Sequence, residues 1–237
     1  MFSVGTQWNP LQAKLRELLD QKESFLEAKE LVLRMHGLLH TRDVSGQSEP
    51  TLMDEVWEGL SDFAFCTMPT AADVTVAWNI WHITRIEDLT CNLLMADENQ
   101  VLDESWLTKL HTNVRDTGNA MTDEEILSLS GEVDKQALRD YRDAVGRRVR
   151  EVIADLKPDD LKRKFSKRQV DRILEEGGVT AHPESVWLLD FWGKKNVAGI
   201  LLMPITRHQM GHLNDCVKLK EKCSKILLKK AKTKVTG

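Results

Sequence analysis

The sequence predicts an all-α protein with four long helices and several short ones. Apolar residues recur at three- and four-residue spacing along most of the 237 positions, the period of a helix with one buried face. The stretches that interrupt this period carry helix caps, prolines and glycines. No alternating apolar–polar run reaches the length of a convincing strand, and no internal repeat is visible.

Each element follows from local chemistry. Asn9-Pro10 is a start signal, a side-chain cap followed by proline at the first helical position. From Leu11 through Leu15, Leu18, Leu19, Leu26, Leu31 and Met35 the helical period continues to about His40, predicting one long helix. SGQSEP (45–50) is a loop by composition. A shorter amphipathic run from Leu52 to Phe65 stops near Met68-Pro69. A second long helix is expected from Val74 to about Met95, with His82 in its middle. The mixed stretch from Asn99 to Gly118 has room for a short helix, and Thr122 with Glu125 is a capping-box signature. A third long helix runs from about Val133 to Leu156, ahead of Pro158. Short helices follow over Ser166–Glu176, closed by Gly177-Gly178, and over Pro183–Trp192. Asn196 caps the apolar turn VAGILL. Pro204 then begins or kinks the last long helix, which carries His208, His212 and Cys216 at one-turn intervals. The whole chain, 1–237, reads as one domain, its end (218–237) rich in lysine.

Composition narrows the function classes. A net charge of −4 gives no overall attraction to nucleic acid. Between Lys218 and Lys234 stand eight lysines and one glutamate. Lysines at a helix C-terminus suit its dipole, so nucleic-acid binding is not expected. No stretch approaches the roughly 18 apolar residues of a membrane span, and MFSVGTQWNP has neither the basic start nor the apolar run of a secretory leader. Cys66, Cys91, Cys216 and Cys223 form no C-x-x-C pair, and free thiols suit a reducing compartment. A cytoplasmic location is the expectation.

Histidines carry the chemistry. His208 and His212, four apart on one helix, point their rings the same way. A third imidazole from another helix, with His82 the candidate, would complete a three-nitrogen site and leave a coordination position open, as catalytic zinc-type sites do. Spacing alone does not decide the matter, because His36 and His40 repeat it at the end of the first long helix. There they suit the C-terminal dipole, a structural or peripheral role. No Glu stands three residues before any histidine, so the Glu-x-x-His of di-iron bundles is absent. H-E-x-x-H is absent too.

The stretches TVAWNIWHITRIEDLT (75–90) and FWGKKNVAGILLMPITRHQMGHLND (191–215) resemble the DinB-like superfamily of metal-dependent enzymes. The resemblance implies a four-helix bundle with crossover connections, a homodimer, and a divalent metal bound by three histidines. Carried over by position, the implied ligands are His82, His208 and His212. It implies zinc or nickel first, with iron or manganese permitted. The implied activity is thiol S-transfer, with a low-molecular-weight thiol as partner, or hydrolysis of a small molecule. The competing expectation is a non-enzymatic, stress-related bundle with a structural or vestigial metal.

Neighbouring residues have two readings each. Glu87 and Asp88 do not share the His82 face and read as salt-bridged or solvated. Asp215 is placed to orient His212, and Cys216 to offer a thiolate one turn further on; exposure of the first and no ligation by the second are the simpler readings. Arg85 and Arg207 could hold an anionic substrate or serve in ion pairs. Trp78 and Trp81 read as core.

Overall fold

The structure, a computed structural model, describes residues 4–235; residues 1–3 and 236–237, and the side chains of 231–235, lie outside the described set. It is all-α. Among the described residues the β-type pairing is a single bridge between Lys164 and Asn196.

The first predicted helix is in fact two. Helix α1 (Asn9–Asp20) carries Pro10 in its first turn and ends where Gln21 turns extended, with φ −114° and ψ 119°. After a short 3₁₀ turn, α2 runs Phe25–Leu39. The break resets the register. Phe25, Ala28, Val32 and Met35 face the core, whereas Leu26, which a continuous helix would count in its apolar stripe, is 70% exposed.

Helix α3 (Val76–Asp88) starts on the Thr75 hydroxyl, which accepts from the Trp78 amide, and continues through a wider π turn over Leu89–Ala96. Almost every residue of α3 is buried, as expected of a helix packed on all sides. Helix α4 (Lys135–Asp155) starts at Asp134, whose carboxylate accepts from the Ala137 amide. The capping box read at Thr122 forms, a second forms at Ser166, and Asn196 caps Val197–Leu202. Helix α5 spans Pro183–Gly193, and α6 spans His208–Val235. Between Val197–Leu202 and α6 lies a π turn, Met203–Arg207. Pro204 sits in it, where its missing N–H and ring are tolerated without a continuous α-ladder.

Helix α3 packs against both α4 and α6, and α2 touches those same two helices. The polar interior matches this packing. Arg85 of α3 donates to Asp88 (2.9 Å) and to the Tyr141 hydroxyl of α4 (2.8 Å), and that hydroxyl donates to Asp88. Asp88 also accepts the amides of Val101 and Leu102. Arg85 is therefore a buried ion-pair residue, and it is not available to a substrate. No helix among the described residues is long and apolar enough to cross a membrane.

The first lysines of α6 have partners within the fold. Lys218 pairs with Asp215, Lys222 with Asp73, and Lys220 donates to the carbonyls of Glu55 and Glu58 at the end of a short helix. That placement favours the dipole-and-carbonyl role over a nucleic-acid arm.

Candidate metal centre

His82, from the middle of α3, and His208 and His212, from the first turns of α6, converge. Their ligating nitrogens all lie within 4.8 Å of one another. The Nε2 atoms of His82 and His208 are 3.3 Å apart. Two nitrogens each ~2.0–2.1 Å from one tetrahedral ion stand at about that separation.

For two of the three rings the outer face settles which nitrogen is free. His82 Nδ1 lies 2.7 Å from the Thr117 carbonyl oxygen. A carbonyl can only accept, so Nδ1 carries the proton and Nε2 presents a lone pair. His212 Nδ1 lies 2.7 Å from Asn79 Oδ1. The Asn79 amide nitrogen donates to the Thr75 carbonyl (2.9 Å), which fixes the amide with its oxygen toward His212. His212 Nε2 is thus also a bare acceptor. The Nδ1 of His208 is buried without a partner.

All three rings are held neutral. Burial, followed by the neighbouring His212, lowers His82 to about 3. His208 is pushed well below its ordinary value by burial and then by the other two rings, and burial also lowers His212. Imidazole must be neutral to bind a cation. These rings are in that form at neutral pH.

A loop that local sequence did not mark, Asp116–Asn119, braces the site. The Asp116 carbonyl accepts from Trp81 Nε1 (2.9 Å), the Thr117 carbonyl from His82, and the Gly118 carbonyl from Trp78 Nε1 (3.2 Å). Gly118 has φ +74°, and a Cβ there would come within 2.7 Å of Trp78 Nε1; only glycine fits this turn without strain. Trp78 stacks on His82, with centroids 4.6 Å apart and planes 11° from parallel. Trp81 is core, as the sequence suggests, but Trp78 is a wall of the site. Asp215 is exposed and pairs with Lys218, and the group that orients His212 is Asn79. Cys216 is fully buried with its thiol pushed far up by that burial, and it is not among the grouped ligand atoms.

Beside the histidines opens a cavity of about 330 Å³, near the small end of the ~300–1,000 Å³ typical of ligand sites. His82, His208 and His212 all line it, together with residues of α5 and of the Met203–Arg207 turn. The site is therefore reachable from outside.

A second group, His36, His40 and Glu87, could also hold a cation by ligand type. His36 Nε2 is 2.9 Å and His40 Nε2 3.1–3.2 Å from Glu87 carboxylate oxygens, and the two rings stack at 4.1 Å. The setting differs. The side chains of His36, His40, Glu87 and Arg142 are fully buried, and Arg142 stands 3.7 Å from Glu87. Burial alone would raise the Glu87 carboxyl, but His40 and His36 hold it well below its usual range. This is a neutralised, closed network, with both histidines donating to a carboxylate already paired with a cation. Glu87 is the salt-bridged residue that the sequence offered as one reading, and His36 and His40 do not line the cavity.

A family model described as DinB superfamily matches residues 47–216. The chain belongs to the DinB superfamily. The matched span contains His82, His208 and His212, and excludes His36 and His40. A search of curated proteins finds no match.

Proposed function

We propose that this DinB-superfamily protein is a metal-dependent enzyme acting on a small molecule, with His82, His208 and His212 as the ligands of one divalent ion. The observation that carries this reading is the convergence of three neutral imidazoles beside an open cavity. At least two of their lone pairs are fixed by outer hydrogen bonds. An all-nitrogen donor set suits zinc and nickel first and also serves iron; manganese is the weaker alternative.

Such an ion supplies Lewis acidity that favours the deprotonated form of a thiol or water in its open position. Thr117 and Asn79 keep their histidines in the ligating tautomer. Trp78 covers one face of His82 and keeps solvent from it. The reaction favoured is transfer of a small thiol to an electrophile. The thiol gives its proton to solvent water, the new S–C bond forms, and the leaving group departs as an anion with the pair of the broken C–X bond. Hydrolysis is the second choice.

The test is metal-dependent conjugation of a panel of low-molecular-weight thiols to a chromogenic aryl chloride, followed by chloride release and by the absorbance of the thioether. Turnover that vanishes with chelator and returns with zinc or nickel is expected. No metal-dependent turnover with any thiol, nor hydrolysis of activated esters, would favour a scaffold role with a structural or vestigial metal.

A further inference from the structure

The cavity beside the histidines has an unusual lining. Trp187, Phe191 and Trp192 of α5 line it, with Met203 and Pro204 of the π turn and with Trp78, which stacks on His82. Besides the indoles, its polar side chains are the three histidines and Asn119, and no Lys, Arg, Asp or Glu lines it. The charged residues beside it line no part of it, although one cation rests on a wall ring. Asp190 and Lys194 pair with each other on α5, Arg207 is exposed, and Lys195 Nζ sits over the Phe191 ring, 4.0 Å from its centroid.

Trp187 is 47% exposed at this wall. Its Nε1 donates to the Glu184 carbonyl of its own helix, so the indole offers a ligand its ring surface and no hydrogen bond. Phe191 meets it edge-on, with centroids 5.5 Å apart and planes at 64°. Asn119 accepts from the Thr117 hydroxyl through Oδ1 (2.7 Å), which leaves its amide N–H groups as neutral donors.

We infer that the group this site binds is an uncharged, flat, aromatic or similarly apolar moiety, held between the α5 aromatics and Trp78 with one polar atom toward the histidines. Against the walls, away from the ion that the histidines would hold, a charged group would be stripped of water with no charged side chain lining the cavity to meet it, which is strongly unfavourable. Aromatic walls, by contrast, reward a flat ring by both burial and ring–ring geometry. The inference rests on the proposed function only in taking this cavity as the substrate's place. In a thiol transfer it assigns the cavity to the electrophile and leaves a polar thiol's body outside. It also removes Arg85 and Arg207 as anchors for an anionic substrate.

Isothermal titration calorimetry of the full-length protein, metal-stripped and metal-loaded, tests this with three probes: 2-naphthol, 2-naphthoate and the saturated decahydro-2-naphthol. The stripped protein is expected to bind 2-naphthol, and 2-naphthoate at least about tenfold more weakly, with the saturated analogue between them. Trp187→Ala should weaken 2-naphthol about fivefold, the scale of a lost aromatic contact, while Arg207→Ala leaves it unchanged. Trp187 is at the surface, so its variant is expected to fold. Equal or tighter binding of 2-naphthoate by the stripped protein would overturn the inference. So would absence of 2-naphthol binding in both forms. If Trp187→Ala turns a dimer into a monomer without changing 2-naphthol affinity, the aromatic patch is a subunit interface and the inference fails. Binding by the stripped protein needs no metal, so a chain that retains no ion but binds 2-naphthol would sink the metal reading alone.

Discussion

Asn79 is the residue through which the account of the histidine site is most sharply exposed to test. It is buried (1% exposed) on α3, one turn before His82, and its Oδ1 accepts the His212 Nδ1 proton at 2.7 Å. Asn79→Ala removes that acceptor and leaves the imidazole free to rotate or change tautomer. Outer partners of metal-ligating histidines typically govern affinity by about 10–100-fold, equivalent to about 1.4–2.7 kcal/mol. The rest of the helix should survive. The Thr75 carbonyl that loses the Asn79 side chain still accepts the Asn79 backbone N–H at 3.2 Å. The assay is competition with a chromophoric chelator for zinc and nickel at pH 7.5, with circular dichroism to verify folding. The Ala variant should be about 10–100-fold weaker. Asn79→Asp, which keeps an acceptor and adds charge, should recover most of the loss. A folded Ala variant whose affinity stays within about twofold of wild type, against that 10–100-fold expectation, would refute the claim that Asn79 sets the His212 tautomer.

Three other outcomes are expected. Gly146→Ala should destabilise, because the new Cβ would lie 2.4 Å from Nδ1 of the fully buried His40. Overpacking of about 1–3 kcal/mol outweighs the ~1 kcal/mol helix-propensity gain, and a rise in denaturation midpoint would contradict this. Glu87→Gln should cost about 3–5 kcal/mol in urea unfolding, since Arg142 is left buried without its counter-charge; metal content should not change, and its loss would mean that the His36–His40–Glu87 group holds the ion. Metal-stripped protein should lose stability in acid. His82 and His40 are both lowered to about 3, chiefly by burial, so below the unfolded value of ~6.5 the unfolded chain binds more protons than the folded one. Stability is full above ~6.5 and falls by about 2 kcal/mol per such histidine by pH 5. Equal urea midpoints at pH 7.5 and 5 would contradict it.

The histidine site was legible where its information is local. His208 and His212 share a helix face by spacing, and Thr122, Ser166 and Asn196 cap helices through contacts three residues away. The break at Gln21 was missed: no proline or glycine marks it, and Ser24, with Glu27 three residues on, has the letters of a cap but makes no side-chain capping hydrogen bond. What decides it is that Phe25 buries in place of Leu26, a choice made by tertiary packing. The same limit applies around the site. Asp215 and Cys216 lie at attractive spacings from His212, yet His212 turns to Asn79, 133 residues away. His82 is held by Thr117, in a loop whose letters show only a turn. His36 and His40 have a helix-end signature, but their partner Glu87 lies 47–51 residues on. Short-range spacing pointed to His208 and His212, and the family resemblance added His82; the long-range contacts that set the tautomers of His82 and His212, and the α5 aromatics beside them, came from the fold.

The most direct measurement is metal content by mass spectrometry of the purified full-length protein beside His82→Ala, His208→Ala and His212→Ala, each verified as folded. The account expects about one divalent ion per wild-type chain and near-complete loss in every variant, with His36→Ala retaining its ion. Equal, substoichiometric metal in wild type and in all three variants would contradict the three-histidine site.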